Sequence, residues 1–194
     1  MTTVLLNGRK LPHGDWEGDD ATPGASGRMV TCTDTSAGRA LCYATNGRKD
    51  IDGRQVRAAV KPPDPNGINL RQAKQAIESL SATTVVIASH WGWTDVMAHL
   101  KKKPYTGLIV QGWYAEIPRG ERFQANADFG HAMWLSHYSR TSGIRVWDAL
   151  DANERHHGNW VPARYIRAFM EELARREGTG PNQLFCGFVP LQPL

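Results

Sequence analysis

The hydrophobic pattern of this chain changes period near its middle, and that change limits the folds it can adopt. In the second half, short runs rich in β-branched and aromatic residues predict strands over 108–114, 131–138 and 144–147, separated by polar or glycine-containing turns. In the first half the spacing is helical, and one segment places four apolar residues on a single face: Leu70, Ala73, Ile77 and Leu80. Helices followed by neighbouring antiparallel strands indicate an α+β fold, with N-terminal helices packed on a C-terminal antiparallel sheet.

Capping and turn residues place several boundaries. A helix is expected over 31–44, because Asn46-Gly47 suits a left-handed helix end, and Asn69 with Gln72 forms a capping box for a second helix. The remaining expected elements are a strand over 85–88, a helix capped by Thr94 that runs to about Lys101, a helix with Pro162 in its first turn, and a last strand over 184–189.

The length and composition predict one folded domain. A chain of 194 residues with 41% hydrophobic and 22% charged residues can bury one sizeable core. Residues 1–28 are rich in glycine, aspartate and other polar residues, so we expect an extended or loop-rich N-terminal arm. Residues 29–194 are expected to form a single domain.

The charge pattern argues against nucleic acid and membrane partners. The net charge is +4, but the basic residues are spread along the chain, and the run Lys101, Lys102 and Lys103 suits the C-terminal end of a helix. The apolar stretch at 4–6 is too short for a secretory leader, and no stretch has the length of a membrane span. We therefore expect no signal peptide and no membrane partner.

The three cysteines cannot pair completely and lack the short spacing of zinc or redox motifs. Cys32 falls in the first turn of the first predicted helix, where unpaired N–H groups and the helix dipole favour the thiolate. Cys42, in mid-helix, and Cys186, in an apolar strand, are interpreted as packing residues. The sequence therefore offers Cys32 as the candidate nucleophile.

His131 and Asp148 are the candidate base and orienting residue. His131 opens a predicted strand after Gly130, and Asp148 closes the next one, so antiparallel pairing brings the two together. An aspartate beside a histidine can hold the imidazole in the tautomer that accepts a proton from the thiol. The residues alone leave a surface histidine and a turn aspartate equally open.

Four short motifs occur in an order that resembles a known family. The motifs are Cys32-Thr33-x-x-Ser36 with Thr45-Asn46-Gly47, Gly67-Ile68-Asn69-Leu70, Gly130-His131-Ala132, and Val146-Trp147-Asp148-Ala149-Leu150. Their order and spacing are similar to those of the papain-like cysteine peptidases of the bacteriocin-processing (double-glycine) group, as found in bacteriophages of actinobacteria. The resemblance covers about Met29 to Leu173.

This resemblance implies a papain-like fold in which Cys32 is the nucleophile, His131 the general base and then acid, and Asp148 the orienting residue. The implied reaction is hydrolysis of a peptide bond through a thioester. The implied partners are a peptide or protein substrate and other phage virion proteins. The implied locations are the host-cell cytoplasm during synthesis and the virion after assembly.

One departure from the family pattern concerns the oxyanion. The family places a glutamine a few residues before the cysteine, but residues 1–31 contain none, and only Asn7 offers a similar amide there. Losing an oxyanion donor typically slows an enzyme by about a hundred- to thousandfold. The alternative hypothesis is therefore a non-catalytic structural protein of a phage head or tail that keeps the fold.

Other candidate residues carry weaker signals. Trp91, Trp93 and Trp113 stand beside glycines at predicted strand ends, where they could wall a substrate groove or fill the edge of the core. His156 and His157 lie near acidic residues, but adjacent histidines point apart on regular structure, so no metal or other cofactor is expected.

Overall fold

A computed structural model of the chain describes residues 5–11, 30–62, 65–122, 126–150 and 158–194. Five α-helices and eight β-strands follow one another there, with a 3-10 turn at Tyr114–Glu116 after the fourth strand. The order is β1 Leu5–Leu6, β2 Arg9–Lys10, α1 Cys32–Ala44, α2 Gly53–Ala59, α3 Leu70–Leu80, β3 Val86–Ile87, α4 Trp93–Lys101, β4 Leu108–Trp113, β5 Gly130–Ser139, β6 Gly143–Asp148, β7 Asn159–Val161, α5 Ala163–Arg176 and β8 Cys186–Phe188.

The predicted α+β class is confirmed. Six strands form one antiparallel sheet in the order β3-β8-β4-β5-β6-β7, and the three strands expected to be neighbours, β4, β5 and β6, are consecutive in it. Helices α1, α2 and α3 precede all six strands of this sheet along the chain. The long central strand β5 pairs with β4 on one side and with β6 on the other, so its first residues lie beside the end of each neighbour.

The helix-end signals at Asn46-Gly47 and Asn69 are confirmed, whereas Pro162 precedes α5 as its N-cap residue instead of lying in its first turn. Asn46 and Gly47 after α1 are left-handed, with φ of 54° and 75°, and the capping box of Asn69 and Gln72 forms with bonds of 3.0 and 2.9 Å. The prediction that Thr94 caps α4 is wrong. Helix α4 already begins at Trp93, because the Asp95 carboxylate reaches back to accept the Gly92 N–H at 3.0 Å.

Three short elements were not predicted: the β1–β2 hairpin, α2 and β7. Each is too short to show a hydrophobic period, although α2 has the same type of capping box as α3, built from Asp52 and Gln55. The hairpin belongs to the predicted arm and is docked on α1, since the Arg9 guanidinium donates to the Ala44 carbonyl at 2.8 Å. Residues 1–4 and 12–29 of the arm lie outside the described residues, so the boundary at residue 28 stays a prediction.

The sheet separates two hydrophobic clusters. Helices α1, α2 and α3 pack with Ile109, Trp134 and Trp147, whereas α4 and α5 pack with the strand residues of opposite parity, such as Val110 and Met133. This layering places the first turn of α1 beside the paired ends of β4, β5 and β6.

The described helices include none that is long and apolar enough to cross a membrane.

Glycine at 112 allows α5 to approach the sheet next to His131. Gly112 is the register partner of His131, and a Cβ atom at residue 112 would lie 2.2 Å from Cδ1 of Phe169 on α5. No side chain larger than hydrogen fits without moving that ring. The close contact of β4 with α5 therefore depends on this residue.

Candidate active site

Cys32 is the first residue of α1 and is half-buried. The Thr35 N–H donates to the Thr31 carbonyl at 2.9 Å, so intrahelical bonding begins immediately around the cysteine. The backbone N–H of Cys32 lies in the first turn, where amide groups have no partner within the helix. The thiol is therefore close to the positive end of the helix dipole, where a negative charge is stabilised.

His131 and Asp148 form a buried ion pair. Nε2 of His131 lies 2.7 Å from Oδ1 of Asp148, and both side chains are almost fully removed from solvent. The sheet register explains the contact, since Met133 is the partner of Asp148 and His131 lies two residues before Met133 on the same face. The contact therefore follows from the pairing of β5 with β6.

The other ring nitrogen of His131 is left for Cys32. Cys32 is close enough to the ring for its charge to raise the pKa of His131. The buried Nδ1 makes no hydrogen bond of standard geometry. Catalytic hydrogen bonds are often long or poorly aligned in a site without substrate. His131 is thus bonded to Asp148 through Nε2, while its Nδ1 remains open to the Cys32 thiol.

Asp148 receives three hydrogen bonds. Besides His131, the Tyr114 hydroxyl donates to Oδ2 at 2.6 Å and the Leu150 N–H donates to Oδ1 at 2.9 Å. Burial alone would raise the pKa of Asp148, but the charge and hydrogen bond of His131, together with Tyr114 and Leu150, hold it below 3.8. The carboxylate is therefore ionised at neutral pH.

The pKa of His131 is raised well above 6.5. Burial acts to lower it, but the charges of Asp148 and Cys32 and the hydrogen bond to Asp148 outweigh that effect. These opposing causes favour a protonated imidazole. An imidazolium in this position can donate a proton to a leaving group, as a general acid requires.

The other two cysteines have the opposite character. Burial, reinforced by Asp50, raises the pKa of Cys42 to about 12. Burial, reinforced by Asp95, does the same for Cys186. Both thiols stay protonated at neutral pH, as expected of packing residues.

Tyr114 is a site residue that the sequence analysis missed. Its ring lies 4.7 Å from the His131 ring between centroids, and the side chain is fully buried. Strand alternation puts Tyr114 on the same side as Gly112, but only the register of β4 with β5 shows that Gly112 lies opposite His131.

Among the three tryptophans considered for substrate binding, Trp113 lies beside the site. It is the register partner of Gly130, immediately before His131. Its indole N–H donates to Asp128 at 2.7 Å, and the Arg176 guanidinium lies 3.7 Å from the ring centroid. The half-buried ring is therefore held in place from two sides. Its contact with substrate stays a prediction.

Trp91 lies between β3 and α4, and Trp93 is the first residue of α4. The Trp91 carbonyl accepts the Leu184 N–H at 2.9 Å, and its ring packs against His99 and Phe188. Trp93 begins α4 and packs, half-buried, against the cluster around α5. Strands β8 and β4 separate this pair from His131. Both tryptophans contribute to core packing here, and a role in binding stays a prediction.

The side-chain amide of Asn7 is not placed to stabilise an oxyanion at Cys32. It donates instead to the Tyr43 hydroxyl at 2.8 Å and to the Tyr105 carbonyl at 2.9 Å. Tyr43 lies eleven residues beyond Cys32 on α1, about 16 Å along the helix. Instead, the half-buried Gln111 donates from Nε2 to Oγ1 of Thr33 at 3.0 Å, one residue from the thiol.

Within the described residues, no group of three or more His, Cys, Asp and Glu side chains is arranged to hold a metal ion. His156 and His157 lie outside the described residues, as do Asp151 and Glu154.

Comparison with known proteins adds evidence on the fold. No protein-family model matches the chain, and no curated protein matches its sequence. Among solved structures, the chain is similar to a candidate C39-like peptidase from Bacillus anthracis, with a TM-score of 0.60 and 12% sequence identity over 100% of both chains. At that identity the similarity shows the fold alone. The chain has a C39-like, papain-like peptidase fold.

Proposed function

We propose that this protein is a cysteine peptidase that hydrolyses peptide bonds through Cys32, His131 and Asp148. The observation that supports this most strongly is the buried 2.7 Å contact between His131 Nε2 and Asp148, with the Cys32 thiol against the same imidazole at the head of α1. A nucleophile, a base and an orienting carboxylate in one contact chain match what covalent acyl transfer requires. The peptidase-like fold is consistent with that chemistry.

In the first half of the reaction, the Cys32 thiolate attacks the carbonyl carbon of the substrate. A carbon–sulfur bond forms, and the carbonyl electron pair moves to oxygen. When the tetrahedral intermediate collapses, the carbon–nitrogen bond breaks, and His131 gives its Nδ1 proton to the leaving amine. The products of this half are a free amine and a thioester on Cys32.

In the second half, water attacks the thioester carbon while His131 Nδ1 takes a proton from it. The carbon–sulfur bond then breaks, which releases a carboxylic acid and restores the thiolate. Asp148 stays ionised throughout and accepts the Nε2–H bond, so proton exchange is confined to Nδ1.

The oxyanion needs at least two donors, and this chain offers the Cys32 backbone N–H and the amide of Gln111. Gln111 uses one N–H on Thr33, and an amide nitrogen carries two. The residue lies on β4 directly before Gly112, the partner of His131. These positions support Gln111 as the second donor, in place of the upstream glutamine that the chain lacks.

The expected substrate is a peptide or protein segment that passes Trp113 and reaches Cys32. From the resemblance in sequence motifs we propose that the protein belongs to a bacteriophage and acts in particle maturation or on a host-wall peptide. Other virion proteins are then its partners, and the host-cell cytoplasm is its site of synthesis. This setting rests on the resemblance alone. Mass spectrometry of purified particles tests it, because a virion component co-purifies at constant stoichiometry.

The second candidate function is a non-catalytic structural virion protein, and the missing upstream glutamine is the observation that favours it. In that case the fold serves packing and contacts between subunits, and particle assembly proceeds equally well with Cys32→Ala. The peptidase function instead predicts that Cys32→Ala blocks every step that depends on cleavage.

A proteome-derived peptide library separates the two functions. Wild-type protein is incubated with the library, and new peptide termini are identified by mass spectrometry. Cys32→Ala and His131→Ala are expected to abolish the cleavages. Cys42→Ala is the matched control, since it removes a protonated thiol from the same helix and should leave them intact. Cleavage that persists in Cys32→Ala, or no cleavage by the wild type, would contradict the peptidase function.

A further inference from the structure

We propose that Tyr114 is a positioning residue, whose hydroxyl keeps Asp148 in the ionised form and the orientation that hold His131 against Cys32. This inference rests on the proposed function, because it concerns the same three residues. It goes further by assigning a role to a fourth residue, which is fully buried.

The contacts of Asp148 divide between its two oxygens. Oδ1 accepts from His131 at 2.7 Å and from the Leu150 N–H at 2.9 Å, while Oδ2 accepts from the Tyr114 hydroxyl at 2.6 Å. Tyr114 is thus the donor found on the second oxygen. A carboxylate bonded at both oxygens cannot rotate without breaking a hydrogen bond, so the oxygen that meets His131 is fixed.

Tyr114 itself is held rigidly. Its backbone N–H donates to the Phe129 carbonyl at 2.9 Å, which continues the pairing of β4 with β5. Its ring stacks on Phe129 at 6.1 Å between centroids and lies tilted against His131 at 4.7 Å. The side chain therefore touches both members of the buried pair, and packing on both sides keeps its hydroxyl on Asp148.

Removing the hydroxyl changes the electrostatics in a known direction. Burial favours the neutral forms of both Asp148 and His131, and the hydrogen bond from Tyr114 is one of the effects that oppose it at Asp148. Without this donor, the carboxylate binds the imidazolium less firmly. The imidazolium should then lose its proton at lower pH, so the Cys32 sulfur should have a positively charged neighbour over a narrower pH range.

The test compares Tyr114→Phe with Tyr43→Phe. Tyr43 is a matched control, because it is also fully buried, and its hydroxyl hydrogen bonds at 2.8 Å to the Tyr105 carbonyl, remote from Asp148. Two measurements need no turnover: NMR titration of the His131 ring, and the rate of Cys32 alkylation by iodoacetamide against pH. In a variant that cleaves peptides, kcat and KM are measured as well.

A hydrogen bond to a charged group corresponds to a pKa shift of about one to two units, so we expect the His131 titration in Tyr114→Phe to move down by up to about that amount. Alkylation of Cys32 near pH 7 should slow, and kcat should fall with little change in KM. Tyr43→Phe should leave both profiles at the wild-type position. A folded Tyr114→Phe with the wild-type His131 titration would overturn the proposal, as would equal shifts in both variants.

If Tyr114→Phe does not fold, site-specific 3-fluorotyrosine at residue 114 keeps the shape and makes the hydroxyl a stronger donor. The His131 titration should then move to higher pH, and an unchanged or lower value would contradict the proposal. The outcomes separate the two claims. A His131 shift in a protein that cleaves no peptide supports positioning and removes the peptidase function, whereas cleavage without a shift does the reverse.

Discussion

Selective alkylation of Cys32 is the most quantitative consequence of the site. A brief treatment with iodoacetamide at pH 7 should modify Cys32 and leave Cys42 and Cys186 almost untouched. The reason is that only Cys32 lies against an imidazolium at a helix N-terminus, while burial raises the pKa of the other two thiols to about 12.

The pKa values give the expected size of the difference. At pH 7 a thiol with a pKa of about 12 is thiolate in about one molecule in 100,000, against about 3% for an ordinary cysteine, a ratio of about 3,000. A more basic thiolate is intrinsically more nucleophilic, by about 40-fold over this range. The net result is a reaction about 80-fold slower than that of an ordinary exposed thiol. Cys32 should therefore be modified at least about 80-fold faster than Cys42.

The assay is digestion and mass spectrometry of each cysteine peptide after timed quenching. Denatured protein is the first control, because its three thiols should react at similar rates. His131→Ala is the second, since removal of the imidazolium should slow Cys32 while leaving the rates of Cys42 and Cys186 unchanged. Equal labelling of the three thiols in folded protein would refute the reasoning, as would an inert Cys32 beside a reactive Cys186.

Three further predictions concern the oxyanion, the ion pair and the packing of β4. Gln111→Ala should lower kcat by about a hundredfold with little effect on KM. The control Gln183→Ala changes an exposed glutamine and should leave kcat unchanged. Equal kcat values for the two variants would remove Gln111 from the oxyanion site. Because the pKa of Asp148 is lower in the folded chain than 3.8, its stabilising effect is present above pH 3.8 and is lost as the pH falls through the folded value. Urea unfolding at a series of pH values should show that the free energy of unfolding of the wild type falls at acid pH. The fall should be smaller in Asp148→Asn. Gly112→Ala should lower the free energy of unfolding by about 1–3 kcal/mol, because the new methyl group meets Phe169, whereas Gly120→Ala meets nothing within 4 Å and should show no overpacking cost.

The parts of the fold that sequence reasoning predicted are those with a periodic or capping signal. Alternation over 108–114, 131–138 and 144–147 indicated β4, β5 and β6, and the Asn69 capping box indicated the start of α3. The two-residue strands β1 and β2 and the seven-residue α2 carry no period, so tertiary contacts decide them.

The site shows a similar division. The proximity of His131 and Asp148 could be predicted, because it needs only the pairing of two consecutive strands. The positions of Tyr114 and Gln111 could not be read in the same way. Tyr114 depends on how β4 pairs with β5 and where Asp148 falls, and Gln111 depends on the docking of α1 on the sheet. The position of Asn7 could not be predicted either, because its distance from the cysteine in space depends on the β1–β2 hairpin, which packs at the far end of α1.

The central claim is that Cys32 forms a thioester with the substrate, and trapping that thioester tests it most directly. The protein is mixed with an N-acylglycine p-nitrophenyl ester, quenched in acid within a second, and examined by intact-mass and peptide mass spectrometry. The account predicts one acyl group on Cys32, which hydroxylamine removes, which disappears in Cys32→Ala and which persists in Cys42→Ala. An acyl group that forms equally well in Cys32→Ala, or no acyl group on the wild-type thiol, would contradict the account.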